Sequence, residues 1–266
     1  MSNALRRLLE GVPVDAPPLV LTKGDQLALL GLARQALCWQ LGHGVAWQPE
    51  LATLPAPLHQ VGACFVTLEH PTSGLRGCVG GFHRRPLGLH VPERAIAAAA
   101  DRRFAQRPVA LAELAEITIK LSILTPPRPL VFHTPQELIE GLRPTVDGVV
   151  LITALGGATF LPVVWRQLPR AEDFLARLCH KHGAPGDLWR RDTPNVAVYT
   201  FQTLDFAEPR PGGRFVGPKG ATVGAGVGYR WGSYDTPQGD APRGPGPPLG
   251  PGAGGGWGAR GVWAPG

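Results

Sequence analysis

From Pro209 to the C-terminus, 29 of 58 residues are glycine or proline. Such a stretch cannot bury enough apolar surface to offset the entropy lost on ordering it. Any compact fold must therefore come from what precedes it. We read residues 1–19 as an N-terminal extension, 20–208 as one domain and 209–266 as a disordered tail. Six Lys/Arg against Asp235 and Asp240 give the tail +4 of the chain's +6, so the body carries only +2. A nucleic-acid footprint needs cationic charge clustered on one face. The one local cluster, His83-Arg84-Arg85 with Arg76, suits a small anion better than a duplex.

Within the body, no apolar run approaches the ~18 residues of a membrane span. The N-terminus lacks the apolar core of a signal peptide, so no membrane association and a cytoplasmic location are expected. The cysteines lie far apart, at 38, 64, 78 and 179, with no Cys-x-x-Cys. Zinc, iron–sulfur and other metal sites are not expected, nor is a cofactor. Four free thiols are expected instead, with Cys38, Cys64 and Cys179 in the core.

Period and punctuation set the elements. Thr22 and Asp25 have capping-box spacing ahead of Leu27, Leu30, Ala33, Leu37 and Leu41, which predicts a helix over 25–41 ended by Gly42. Residues 51–60 read as a loop and 87–100 as a helix. Ile117, Ile119, Leu121 and Ile123 alternate with polar residues, a half-buried strand stopped by Pro126-Pro127. A short helix is predicted at 135–141. Strands at 148–154 and 158–162 flank a Gly156-Gly157 turn, a helix covers 170–182, and one strand runs from Asn195 to Phe206. Hairpins mixed with separate helices define an α+β class, with a mainly antiparallel sheet and flanking helices.

The candidate site lies on a hairpin. Strand formers at 61–70 and 75–82 flank Pro71-Thr-Ser-Gly74. With 71–74 as the loop, Glu69 faces Arg76 and Thr67 faces Cys78. Side chains alternate, so Cys64, Val66, Leu68, Leu75 and Val79 form an apolar core face. The other face gathers Phe65, Thr67, Glu69, Arg76 and Cys78. A one-residue slip would scramble this grouping. Cys78 sits in Leu75-Arg-Gly-Cys-Val-Gly-Gly81, where Gly77 and Gly80 allow close backbone approach and Arg76 can lower a thiol pKa. The segment looks built to expose the thiol. In the plainer reading, Glu69–Arg76 is a cross-strand ion pair and the glycines fit a bulge.

Leu75-Arg-Gly-Cys-Val-Gly80 resembles the Leu-Arg-Gly-Cys-Ile-Gly signature of the AMMECR domain family, called AmmeMemoRadiSam system protein A in bacteria and archaea. Further segments agree in order: Asp101-Arg-Arg-Phe104, Ile119-Lys-Leu-Ser-Ile-Leu-Thr-Pro-Pro127, Phe160-Leu-Pro-Val-Val-Trp165 and Phe174-Leu-x-x-Leu-Cys-x-Lys181. The resemblance covers about residues 20 to 208. It implies two intimately packed subdomains, and Memo-like and radical-SAM proteins as partners. It implies no settled reaction.

Two functional readings follow. In the first, Cys78 is a thiolate nucleophile. Arg76 lowers its pKa and orients a small anionic substrate, and Glu69, His83 or His90 handles protons. Thr67, Gly77, Gly80, His83 and Arg103 then line the substrate site, Asp101 and Arg103 returning toward the thiol from the following helix end. Cys179-His180-Lys181-His182 reads as an ordinary helix C-terminus favouring the dipole. In the second, the domain is a non-catalytic adaptor that docks a partner through residues 76–85.

Overall fold

The computed structural model describes residues 19–43 and 49–213. The expected N-terminal extension, but for Leu19, and the expected disordered tail beyond Gly213 lie outside the described residues.

The chain runs α1 (Lys23–His43), β1 (Val61–His70), β2 (Gly74–Gly80), β3 (Arg85–Pro86), α2 (Leu87–Ala99), β4 (Thr118–Leu124), β5 (Arg128–Leu130) and α3 (Pro135–Gly141). It continues through β6 (Gly148–Thr153), β7 (Gly156–Phe160), α4 (Ala171–Lys181), α5 (Leu188–Arg191), β8 (Ala197–Phe201) and β9 (Thr203–Ala207). The capping box at the start of α1 forms as read. Asp25 N–H donates to Thr22 Oγ1 at 3.2 Å, and Thr22 N–H donates to Asp25 Oδ2 at 2.8 Å. The expected loop at 51–60 instead holds two 3₁₀ turns, which tuck Leu54 and Leu58 into the core.

Two antiparallel sheets result. The first has the order β2-β1-β4-β9, with β3 on the start of β1; the second has β5-β8-β6-β7. Strand alternation divides the core into layers. Cys64, Val66, Leu68, Ile119, Leu121 and Ile123 face α1 and α2, meeting Leu29, Leu37, Val91 and Ala95. Val149, Leu151 and Val198 face α4, where Trp165 stacks on Phe174 at 3.8 Å between ring centroids. The opposite sides of the two sheets meet each other. Ala63, Phe65, Cys78 and Leu124 of the first pack with Val150, Ile152 and Phe201 of the second. The molecule is thus helices, sheet, sheet, helices, and that inner apolar layer is the seam between two subdomains.

The single strand expected over 195–206 is two strands in different sheets, β8 and β9. The break falls at Gln202, opposite the point where Thr125-Pro-Pro127 ends β4. Thr125 N–H donates to Gln202 O at 2.9 Å, and Gln202 N–H donates to Thr125 Oγ1 at 2.8 Å. Both chains of the β4/β9 and β5/β8 ribbon therefore change sheets together. The β6–β7 turn is Ala154-Leu155 rather than Gly156-Gly157. Thr153 Oγ1 accepts the Leu155 N–H at 3.2 Å, which closes the turn early and leaves both glycines in β7.

A buried ion pair ties the two ends of the domain. Arg34 on α1 donates from Nε to Glu208 Oε1 at 2.9 Å and to the carbonyls of Leu114 and Ile117 at 2.8 Å each. Glu208 also accepts the Ile119 N–H at 2.8 Å. Beyond it, Gly212 takes a left-handed φ of 75° and donates to Ile117 O at 3.0 Å, so residues 209–213 still lie on the fold. Removing one partner strands the other charge in the interior. Arg34→Met should cost about 3–5 kcal/mol, measured as a lowered midpoint in urea unfolding, whereas Arg102→Met on the surface should change little.

A thiol and an amine share a cleft on the seam

The first half of the hairpin register is as read from the sequence. Thr67 pairs with Cys78 and Leu68 with Gly77. A bulge then leaves Arg76 without a residue opposite, so Glu69 pairs with Leu75 and His70 with Gly74. Gly74 adopts φ 67°, a left-handed conformation that shortens the loop to 71–73.

The bulge separates the side chains expected to act together. Arg76 is 3% exposed and points at the segment after α2, donating to Arg107 O at 3.0 Å and to Glu113 Oε2 at 2.9 Å. Glu69 pairs with Lys120 on β4. Neither group is the thiol's partner. The glycines serve packing rather than a ligand: a Cβ on Gly77 would lie 1.9 Å from Ala98 O, and one on Gly80 would lie 2.3 Å from Cys64 O. His83 is exposed, Arg84 donates to Val61 O at 2.8 Å and Arg85 is paired with Glu93, so the expected basic cluster with Arg76 does not assemble. His90 is buried in α2, where its Nδ1–H donates to Gly62 O at 3.2 Å.

Cys78 itself is not exposed on the surface, as the glycine-rich context suggested; it is 8% exposed, because the second sheet covers that face. Thr67 Oγ1 donates to Sγ at 3.2 Å. The turn after α2 clamps the peptide: Cys78 N–H donates to Asp101 Oδ2 at 3.0 Å, and Arg103 donates to Cys78 O at 3.0 Å. Arg103 also grips Asp101 at 2.6 Å. The expected return of Asp101 and Arg103 toward the signature is thus real, although they hold its backbone. Burial pushes the Cys78 thiol above its ordinary range; the Thr67 hydroxyl, Arg103 and Lys181 pull it down, and Asp101 adds to the rise. Burial opposes charge on Asp101, but its bonds from Arg103 and the Cys78 N–H outweigh that and hold its carboxyl below the usual range.

The thiol opens into a small cleft of about 40 Å³ on the seam, walled by Phe65, Thr159, Phe160, Leu161, Val163 and Val164, with Lys181 beside it. Lys181 enters from the last turn of α4. Its ammonium donates to Thr159 O at 3.2 Å and lies 4.7 Å from the centre of the Phe160 ring. Burial, with the nearby Arg103 charge, pulls its pKa down to about 8, while Cys78 acts in the opposite sense. Sequence reasoning treated this lysine as a helix-end charge. Its signal was its position: seven residues after Phe174 and three after Leu178, it continues the buried stripe of α4. The neighbouring His182 is used structurally, its Nδ1–H donating to Leu178 O at 2.9 Å.

These features define an α+β protein of two facing antiparallel sheets with a thiol-and-amine cleft where they meet. Residues 30–204 match the AMMECR1 family model, and the chain belongs to that family. Among its relatives, Protein MJ0810 of Methanocaldococcus jannaschii is 33% identical over 177 residues, 64% of this chain and 84% of the relative. Protein MK0488 of Methanopyrus kandleri is 32% identical over 193 residues, 70% and 89% of the two chains. The crystal structure of the uncharacterized protein PH0010 from Pyrococcus horikoshii superimposes with a TM-score of 0.61 at 30% identity, covering 69% of this chain and 91% of that one. Among the described residues, no helix is long and apolar enough to cross a membrane.

Burial lowers the His90 pKa from 6.5 to about 4. Between those values the unfolded chain binds the proton and the folded one does not, so stability falls as pH drops through that window. The loss should approach roughly 3 kcal/mol near pH 4. Urea unfolding at pH 7 and pH 4.5 measures it, and His90→Gln, which keeps a donor for Gly62, should flatten that part of the slope.

Proposed function

We propose that the seam cleft is a cysteine-centred active site, with Cys78 as nucleophile, for a small substrate bearing an apolar body and one anionic group. The observation that carries this reading is the shared cleft: one thiol and one amine face the same apolar-walled space. The thiolate would add to a carbonyl carbon of the substrate, the sulfur lone pair forming the S–C bond as the C=O π pair moves onto oxygen. The Thr67 hydroxyl already donates to the sulfur and would stabilise its anion. Arg103 adds a fixed positive charge behind the Cys78 peptide. Lys181, not Arg76, supplies the cation for the substrate's anionic group. The walls suit a narrow apolar body, since one lysine among six largely apolar neighbours fits a monoanion rather than a polyphosphate.

The adaptor reading has less to draw on. Arg76 and Gly77 are buried, and Arg85 is engaged by Glu93. Memo-like and radical-SAM proteins remain proposed partners on family resemblance alone.

Alkylation with iodoacetamide, mapped by mass spectrometry, tests the proposal. Cys64 is fully buried with its thiol pushed up to about 12, which leaves it roughly a thousandfold less thiolate at pH 8 than an unshifted thiol. Cys78 should label well before Cys64, with a rate that climbs with pH, and a short carboxylate such as butyrate should slow that labelling. A Cys78 as inert as Cys64 would overturn the reading.

A further inference from the structure

A buried thiol needs a proton acceptor before it can act as a nucleophile, and the sequence candidates for that role all lie elsewhere. Glu69 is on Lys120, His83 is exposed, and His90 is spent on Gly62. Resting on the reading of Cys78 as nucleophile, we propose that Lys181 accepts the thiol proton, so that the reactive state of the cleft is a thiolate–ammonium pair formed across the seam.

The charged and titratable groups around Cys78 are few. Asp101 and Arg103 come from the turn after α2, Lys181 comes from α4, and the Thr67 hydroxyl comes from β1. Arg103 stays protonated. Asp101 accepts from the Cys78 N–H and from Arg103, which weakens it as a base. Among the described residues, Lys181 is the amine that shares the cleft with the thiol, and burial with the Arg103 charge draws its pKa down to about 8 while Cys78 acts in the opposite sense. The step is simple. The neutral amine's lone pair takes the S–H proton, the S–H electron pair stays on sulfur, and no other reagent takes part. The resulting ammonium has three donors, one already aimed at Thr159 O and others for the thiolate. Burial opposes both charges, raising the thiol and lowering the amine, so the pair forms only where their mutual attraction, strengthened by the same low polarity, exceeds that cost. The placement argues the same way. Lys181 occupies a core-facing position of α4 that an apolar residue would fill at lower desolvation cost.

The test is the order in which the two groups lose protons in the full chain. Thiolate is read by ultraviolet absorbance, with Cys78→Ser as the blank. Lysine is read by NMR of ¹³C-methylated protein, in which Lys23, Lys120, Lys181 and Lys219 are the lysine signals to resolve beside the α-amine. Thiolate should appear while Lys181 is still an ammonium. Cys78→Ser should lower the Lys181 titration, and Lys181→Met should raise the inflection of Cys78 alkylation by about one pH unit or more. Lysine losing its proton to solvent while the thiol stays protonated would overturn the proposal, and the pH profile of Cys78 alkylation in the unsubstituted protein reads the thiol without any variant. The two readings fail separately. Fast Cys78 labelling with a pH profile unmoved by Lys181→Met would sink the lysine's role and leave the nucleophile. A thiolate–ammonium pair that alkylates no faster than Cys64 would do the reverse.

Discussion

Phe82 and Phe201 meet edge to face, ring centroids 5.1 Å apart, where the two sheets press together. Around them Phe65, Leu124, Val150 and Ile152 complete an apolar layer that neither subdomain could leave in water. Everything at the candidate site follows from that layer. It turns one face of the hairpin from surface into seam and takes Cys78 out of solvent. It also brings the end of α4 over a strand that folds more than a hundred residues earlier. The cleft is the place where this layer is incompletely filled.

Burial and activation pull in opposite directions here. A thiol in an apolar layer resists ionisation, and the surroundings both compensate and reinforce that resistance. The hydroxyl, the guanidinium and the amine favour the anion, and the Asp101 carboxylate opposes it. Asp101 is nonetheless indispensable to the geometry, because it orients both the Cys78 peptide and Arg103. The signature segment is therefore less a reactive loop than a clamped strand. Its glycines let α2 and β1 approach, and its arginine anchors the segment before β4.

Local signals in the sequence were reliable where the cause was local. The α1 capping box, the alternation of β4, the α3 boundaries and the Thr67–Cys78 register all depend on neighbours a few residues apart. What could not be read had distant causes. Arg76 bulges toward Glu113, 37 residues on, and no cross-strand pattern announces it. The split of β8 from β9 has no glycine or proline at Gln202; its punctuation is Pro126-Pro127 on the paired strand. Sequence alone also gave no way to know that the face bearing Cys78 would meet a second sheet. Lys181 was legible in principle, as a charge on an apolar helix stripe, but its purpose depends on that same meeting.

The Arg34–Glu208 pair spans 174 residues of chain. During synthesis α1 leaves the ribosome with a guanidinium destined for the interior, and its carboxylate arrives only after nearly the whole domain has been made. β9, the strand that completes the first sheet, is equally late. Until then β4 has an open edge, and α1 has reason to stay hydrated rather than docked. The N-terminal subdomain therefore cannot mature vector-wise ahead of the rest. The ribbon that crosses between the sheets ties completion of both halves to the same late-made strands, β8 in the second sheet and β9 in the first.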